Sequence, residues 1–193
     1  VKAAIGQTVS HEELGGAAMH AAVSGTIDFR EADEPSCLDR LRRLVAALPA
    51  DKGHLPATAP GRPTADVLTL FDPRPRHEYD VRELLSCLLD AGPFDEYKAE
   101  YGQTLVCGYG RLGGVPVGVV ANQRQRCRPA QGPLQYGGVL YVDSADKGAR
   151  FIMDCNQSRM PLLFLQDVNG FMVGRDSDCL LYTSPSPRDR QKS

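Results

Sequence analysis

The sequence predicts an α/β fold, and three stretches carry that prediction. From Gly138 to Gly174 the chain reads strand, helix, strand, then a glycine-flanked loop. Val139 to Val142 is a short β-branched and aromatic run. Ser144 is the expected N-cap of the helix, because its hydroxyl can accept from an unpaired N–H of the first turn. Ala145, Ala149 and Ile152 then recur at helical spacing, with Phe151 and Cys155 widening the stripe. Pro161 opens Leu162-Leu163-Phe164-Leu165, four apolar residues without alternation, which predicts a strand covered on both faces. At its end Gly170 to Gly174 must turn the chain back, and loops at the carboxyl ends of such strands are where α/β sheets put ligands. The second stretch, Thr104 to Tyr109 and Val115 to Val120, is β-rich and joined by Gly110-Arg111-Leu112-Gly113-Gly114, the signature of an antiparallel hairpin. The third signal is capping: Ser10 with Glu13, and Asp80, each precede a helical pattern.

Taken in order, Ser10-His11-Glu12-Glu13 opens a short helix with Leu14, Ala17, Ala18 and Ala21 on one face. His20, a lone histidine, reads as a hydrogen-bonded structural residue. A second helix runs from Cys37 to Leu48. Leu38, Leu41, Val45 and Leu48 form its apolar face, with Arg40, Arg42 and Arg43 expected in water, and Pro49 ends it. Prolines 49, 56, 60, 63, 73 and 75 then punctuate an extended connector, in which Asp66 and Asp72 are expected to be solvated. Asp80 caps a helix over Val81 to Leu89, with Leu84, Leu85 and Leu88 inward and Gly92 as the stop. Phe94, Tyr97 and Tyr101 recur every three or four residues, which predicts one side of a helical turn. Gln123 to Tyr136, with three arginines and two prolines, reads as a surface excursion.

Composition sets limits. The 193 residues carry a net charge of −2, with 42% apolar and 24% charged residues. That balance gives no reason to expect nucleic acid or an anionic membrane as partner. No apolar run approaches the roughly 20 residues that span a bilayer. Six cysteines lie far apart without a CxxC pair or metal-ligand spacing, so they read as reduced thiols of a cytoplasmic protein. Gly108 to Gly113 spells GxGxxG, but a second strand containing Pro116 follows where a dinucleotide fingerprint needs a helix. There is no GxSxG elbow, HExxH or P-loop motif. Arg111 sits where a guanidinium could fork onto a carboxylate. The glycines of Gly170 to Gly174 could let main-chain N–H groups approach a ligand on which negative charge develops.

FLQDVNGFMVGRD, YGQTLVCGYGRLGGVPVGVVANQ and SHEELGGAAMHAAVSGTIDF, in that order from the C-terminal end, resemble the carboxyltransferase subunit of biotin-dependent acyl-CoA carboxylases: acetyl-, propionyl-, methylcrotonyl- and geranyl-CoA carboxylase. The resemblance covers most of Val1 to Asp178. It implies a crotonase-like α/β fold of ββα units, with residues 1–48 ending the N-terminal half, 49–79 linking, and 80–178 opening the C-terminal half. It implies transfer of a carboxyl group from carboxybiotin to an acyl-CoA through an enolate held by backbone oxyanion holes. The loop residues Gly170, Phe171 and Gly174 would then be catalytic, receiving the biotin ureido group. Arg111, Gly113, Gly114, Phe94, Tyr97 and Asn122 would bind substrate. The cofactor would be biotin on a separate carrier, since the AMKM biotinylation motif is absent. The partners would be a biotin carboxylase and carrier subunit and further copies of the parent subunit. A biotin-dependent decarboxylase subunit and an enoyl-CoA hydratase or isomerase are the alternatives of the same superfamily. Residues 179–193 break the pattern and resemble a translated sequencing adapter. A fragment cut at both ends lacks the family's other oxyanion loops, and is expected to be inactive alone.

Overall fold

A computed structural model describes residues 10–48, 56–71 and 77–173. Its centre is a four-stranded sheet in the order β1-β2-β3-β5, built from β1 (Asp95–Tyr97), β2 (Leu105–Leu112), β3 (Val115–Asn122) and β5 (Leu162–Leu165). The pairs β1–β2 and β2–β3 are antiparallel, and β3–β5 is parallel. A second, two-stranded parallel sheet joins β4 (Val139–Leu140) to β6 (Gly170–Phe171). The hairpin is tighter than its sequence suggests. Leu112 pairs with Val115, so Gly113-Gly114 alone makes the turn. Both have positive φ, 60° and 81°, the mirror-type turn whose twist matches that of the flanking strands.

Among the described residues, six α-helices flank these sheets. The first is α1 (His11–Gly15), where Ser10 and Glu13 make the expected capping box. The chain breaks at Gly16 before α2 (Ala17–Met19) and a π-helical turn, His20–Ser24. His20 bonds Ser24 Oγ at 3.0 Å and Thr26 Oγ1 at 3.2 Å through Nδ1, a local structural role. Next come α3 (Glu34–Ala47), α4 (Val67–Leu70), α5 (Val81–Leu88) and α6 (Val142–Gln157). One face of the main sheet packs on α5 through Val81, Leu85, Leu89, Val106, Val119 and Ala121. The other packs on α6 through Phe151, Cys155, Tyr97, Cys107 and Val120.

Several expectations fail locally. Phe94 to Tyr101 contains β1 rather than a helical turn, because pairing with β2 supplies hydrogen bonds that the aromatic spacing cannot reveal. The N-cap of α6 is Tyr141, not Ser144; Ser144 sits at the third helical position and its Oγ accepts from the Tyr141 N–H at 2.8 Å. The connector is not wholly extended, since a 3₁₀ turn (Thr64–Asp66) and α4 fall within it. Asp66 lies 3.7 Å from the Arg62 guanidinium, and Asp72 lies outside the described residues. Strand β5 is not covered on both faces: it ends the sheet of described residues and Phe164 is 54% exposed.

The largest reversal is in α3. Leu41 and Val45 are 55% and 59% exposed, and Leu38 and Leu48 also face outward. Arg40 and Arg43 turn inward instead, donating to Asp95 at 2.9 Å and 3.0 Å, while Arg40 also pairs with Glu31. A near-buried carboxylate on β1 needs a charge partner more than the leucines need a cover. Together with the Arg30–Glu100 pair at 2.7 Å, these contacts fasten residues 28–48 to the main sheet.

Candidate functional site

Parallel pairing brings the carboxyl ends of β3 and β5 to one place, with Ala121 opposite Leu165. Just beyond, Asn122 Oδ1 accepts from the Asp167 N–H at 3.1 Å. The Asp167 carboxylate accepts from the Tyr79 hydroxyl at 2.8 Å and lies 3.3 Å from Arg124 Nε. Arg124 Nη1 donates to Asn169 Oδ1 at 3.1 Å. Burial, and then the bond to Asp167, pushes the Tyr79 phenol well above its usual range, so it remains a donor at neutral pH. Gln123 is buried beside them. Its Nε2 donates to Asp80 Oδ1 at 2.7 Å, and its Oε1 accepts from the N–H groups of Val81, Arg124 and Gln125.

The glycine loop starts from this cluster. Val139 pairs with Gly170 and Leu140 with Phe171. The Asn169 N–H donates to Gly138 O at 2.6 Å and the Met172 N–H to Leu140 O at 2.8 Å. Successive N–H groups of a strand face opposite edges, which turns the Phe171 N–H away from β4. Phe171 itself is 67% exposed. Gly174 lies outside the described residues. Beside the loop a cavity of about 410 Å³ is lined by Arg124, Asn169, Gly137, Val139, Tyr136 and Glu78.

Other predicted site residues stand elsewhere. Arg111 and the Gly113-Gly114 turn are at the opposite end of the hairpin. Six strand steps of β3 separate Pro116 from Asn122, about 20 Å at strand rise. Arg111 is not a free guanidinium: its Nη2 donates to Ala46 O at 3.2 Å and its Nη1 to Gly114 O at 3.5 Å. The two turn N–H groups are also engaged, Gly113 with Asp90 Oδ1 at 2.8 Å and Gly114 with Asp90 Oδ2 at 2.7 Å. Those amides hold the Asp90 carboxyl below the usual carboxylate range. Phe94 is half-buried and lines a cavity of about 290 Å³ with Arg111, Arg82 and Glu96. Tyr97, only 3% exposed, is a core residue whose ring lies 5.3 Å from that of Phe151, so it offers no binding face. Of the predicted set, only Asn122 is joined to the Gly170 loop.

Asp167, Arg124, Tyr79, Gln123 and Asp90 escaped the sequence reading. Their partners lie far away along the chain: 88 residues for Tyr79 and Asp167, and 45 for Arg124 and Asn169. No local spacing marks such pairs. Only Asp167 and Gln123 had a signal, since they sit inside the quoted FLQDVNG and GVVANQ motifs. Among the described residues no group of three His, Cys, Asp or Glu side chains could hold a metal ion.

A mixed sheet between helices, with a loop cluster at the carboxyl ends of its parallel strands, is the crotonase-type α/β arrangement of carboxyltransferases. Transcarboxylase 12S, solved as a hexamer with methylmalonyl-CoA, superposes with a TM-score of 0.79 at 30% identity, over 92% of this chain and 34% of that one. The Carboxyl transferase domain matches residues 1–179, and the chain belongs to that family. It is 41% identical over 180 residues to a biotin-dependent 3-methylcrotonyl-coenzyme A carboxylase beta1 subunit of Mycobacterium tuberculosis, covering 91% of the chain and 31% of that protein. It is 38% identical to the mitochondrial methylcrotonoyl-CoA carboxylase beta chain of Dictyostelium discoideum, over 91% of the chain and 28% of that protein. The chain thus spans about a third of the length of these relatives.

Proposed function

We propose that this chain is part of a carboxyltransferase subunit that moves a carboxyl group from carboxybiotin to an acyl-CoA through its enolate. The observation that carries the reading is the junction of Asn122, Asp167 and the Gly170 loop at the carboxyl ends of β3 and β5, beside a cavity of about 410 Å³. In α/β sheets that end is where ligands bind.

Biotin, when bound, supplies the carboxyl group and then a basic ureido nitrogen. The chain supplies placement. Phe171 presents a main-chain N–H turned away from β4, and such a donor stabilises developing negative charge; by the same alternation the Gly170 N–H lies on the β4 side. The neutral Tyr79 hydroxyl and the Arg124 guanidinium hold Asp167, so no unpaired carboxylate faces an incoming anion. Arg111, Gly113, Gly114 and Phe94, about 20 Å away, contact a different part of the substrate or carrier. In this reading residues 1–48 close one half of the subunit, 49–79 link, and 80–178 open the second half. Its partners are a biotin carboxylase and carrier subunit and other copies of itself, in the cytoplasm. The described cysteines are free, which suits a reducing compartment.

The test is carboxylation by the full-length subunit with its biotin-bearing partner. Labelled bicarbonate should enter methylcrotonyl-, propionyl- or acetyl-CoA, and avidin should block it. Biotin-independent hydration or isomerisation of an enoyl-CoA would overturn the reading. The 193-residue chain alone should carboxylate none of these thioesters.

A further inference from the structure

We infer that Arg124 is a positioning residue for the Gly170 loop, an inference that rests on the reading of that loop as the carboxyl-donor site. Arg124 leaves the end of β3 with its direction already set, because its N–H donates to the buried Gln123 Oε1 at 2.9 Å. Its side chain is only 12% exposed, although arginine is mostly exposed in proteins unless paired. The guanidinium reaches two residues that flank Val168: Asp167 at 3.3 Å and Asn169 at 3.1 Å. These are among the last three residues before Gly170. Asp167 is held from its other side by the Tyr79 hydroxyl, and its N–H by Asn122.

The chain opposite is shaped around the same side chain. A Cβ at Gly137 would run into the Arg124 carbonyl, and one at Gly138 into its guanidinium and, at 3.0 Å, the Asn169 amide. Gly138 also has a positive φ of 72°, and its N–H donates to Gln123 O at 2.8 Å. Three segments therefore close on one guanidinium: the end of β3, the turn into β4 and the approach to β6. A planar fork can satisfy Asp167 and Asn169 together, whereas a lysine ammonium at the same point has no such fixed geometry. Arg124 acts on the loop through Asp167 and Asn169 and does not itself touch the Gly170 or Phe171 main chain.

The test is amide hydrogen exchange on the full-length subunit and its Arg124→Met and Arg124→Lys variants. The expected result for Arg124→Met is at least tenfold faster exchange at the Asn169 and Met172 amides. The sheet amides of Cys107 and Val119 should stay within twofold, and Arg124→Lys should fall between. Unchanged exchange at Asn169 and Met172, or an equal rise across the sheet, would overturn the inference. If Arg124→Met does not fold, Asn169→Ala removes one arm only and must give the same local pattern, smaller in size; a uniform pattern there overturns the inference as well. A parallel titration with biotin separates the two claims. Protection of the Gly170 to Met172 amides in the wild type, weakened by Arg124→Met, supports both. No protection in the wild type, with the local exchange pattern intact, overturns the donor-site reading and leaves the positioning role standing.

Discussion

Asp90 and Lys147 bracket what a single side chain does here. Asp90 accepts both N–H groups of the hairpin turn, so its carboxyl titrates below its usual range. A carboxyl whose folded pKa is depressed stabilises the fold above its unfolded pKa, and that contribution is lost as pH falls through the folded value. We expect the wild-type chain to lose stability below about pH 4. Asp90→Asn should flatten that part of a urea-midpoint profile, and an unchanged acid limb would show that the turn amides do not hold the carboxylate. Lys147 is the opposite case. It is fully buried in α6, and its ammonium has one acceptor, Tyr101 O at 3.0 Å. Burial lowers its proton affinity below the ordinary lysine value of 10.5. The unfolded chain then binds more protons, so this residue's contribution to stability rises with pH up to that value. Lys147→Met should have the higher urea midpoint at pH 7, by about 1–2 kcal/mol in stability, and the gap should narrow as pH approaches 10.5.

At the scale of elements, α3 shows how an amphipathic pattern can be read correctly and oriented wrongly. The 3,4-spaced apolar stripe Leu38, Leu41, Val45 and Leu48 is present, yet it faces outward. Asp95 on β1 decides the matter by drawing in Arg40 and Arg43. Two changes separate these faces. Leu41→Ser should alter stability by less than about 0.5 kcal/mol. Asp95→Ala leaves Arg43 unpaired and Arg40 with Glu31 alone, and should cost roughly 2 kcal/mol, read as a shift in thermal midpoint. Equal losses from both would mean that the leucines are the packed face. The hairpin, by contrast, was legible to within a few residues, because strand alternation and the Gly113-Gly114 turn are local properties. The strand β1 was not, since a three-residue strand is created by its partner rather than by its own composition.

For the molecule as a whole, the buried thiols act with the phenols of Tyr79, Tyr97 and Tyr109, all shifted upward by burial, to set the alkaline limit. Burial pushes Cys107 from 9.0 to about 12 and Cys155 to about 11. Folded pKa values above the unfolded ones mean that the stabilisation is complete below pH 9 and is lost as pH climbs through those folded values. Between 9 and 10.5 this loss opposes the gain from Lys147. We expect a cooperative fall in the circular-dichroism signal above about pH 10, shifted upward in a Cys107→Ala variant.

Read alone, the sequence determined the α/β class, the hairpin, the capped helices α1 and α5 and the family. Each of these is written in contacts a few residues apart or in contiguous motifs. Only the tertiary structure decided which face of α3 turns inward, that Arg111 and the Gly170 loop stand at opposite ends of β3, and that Arg124, Asp167 and Tyr79 meet. Those outcomes depend on charges and hydrogen-bond partners separated by 43 to 88 residues, and chain closure, not local propensity, brings such groups together.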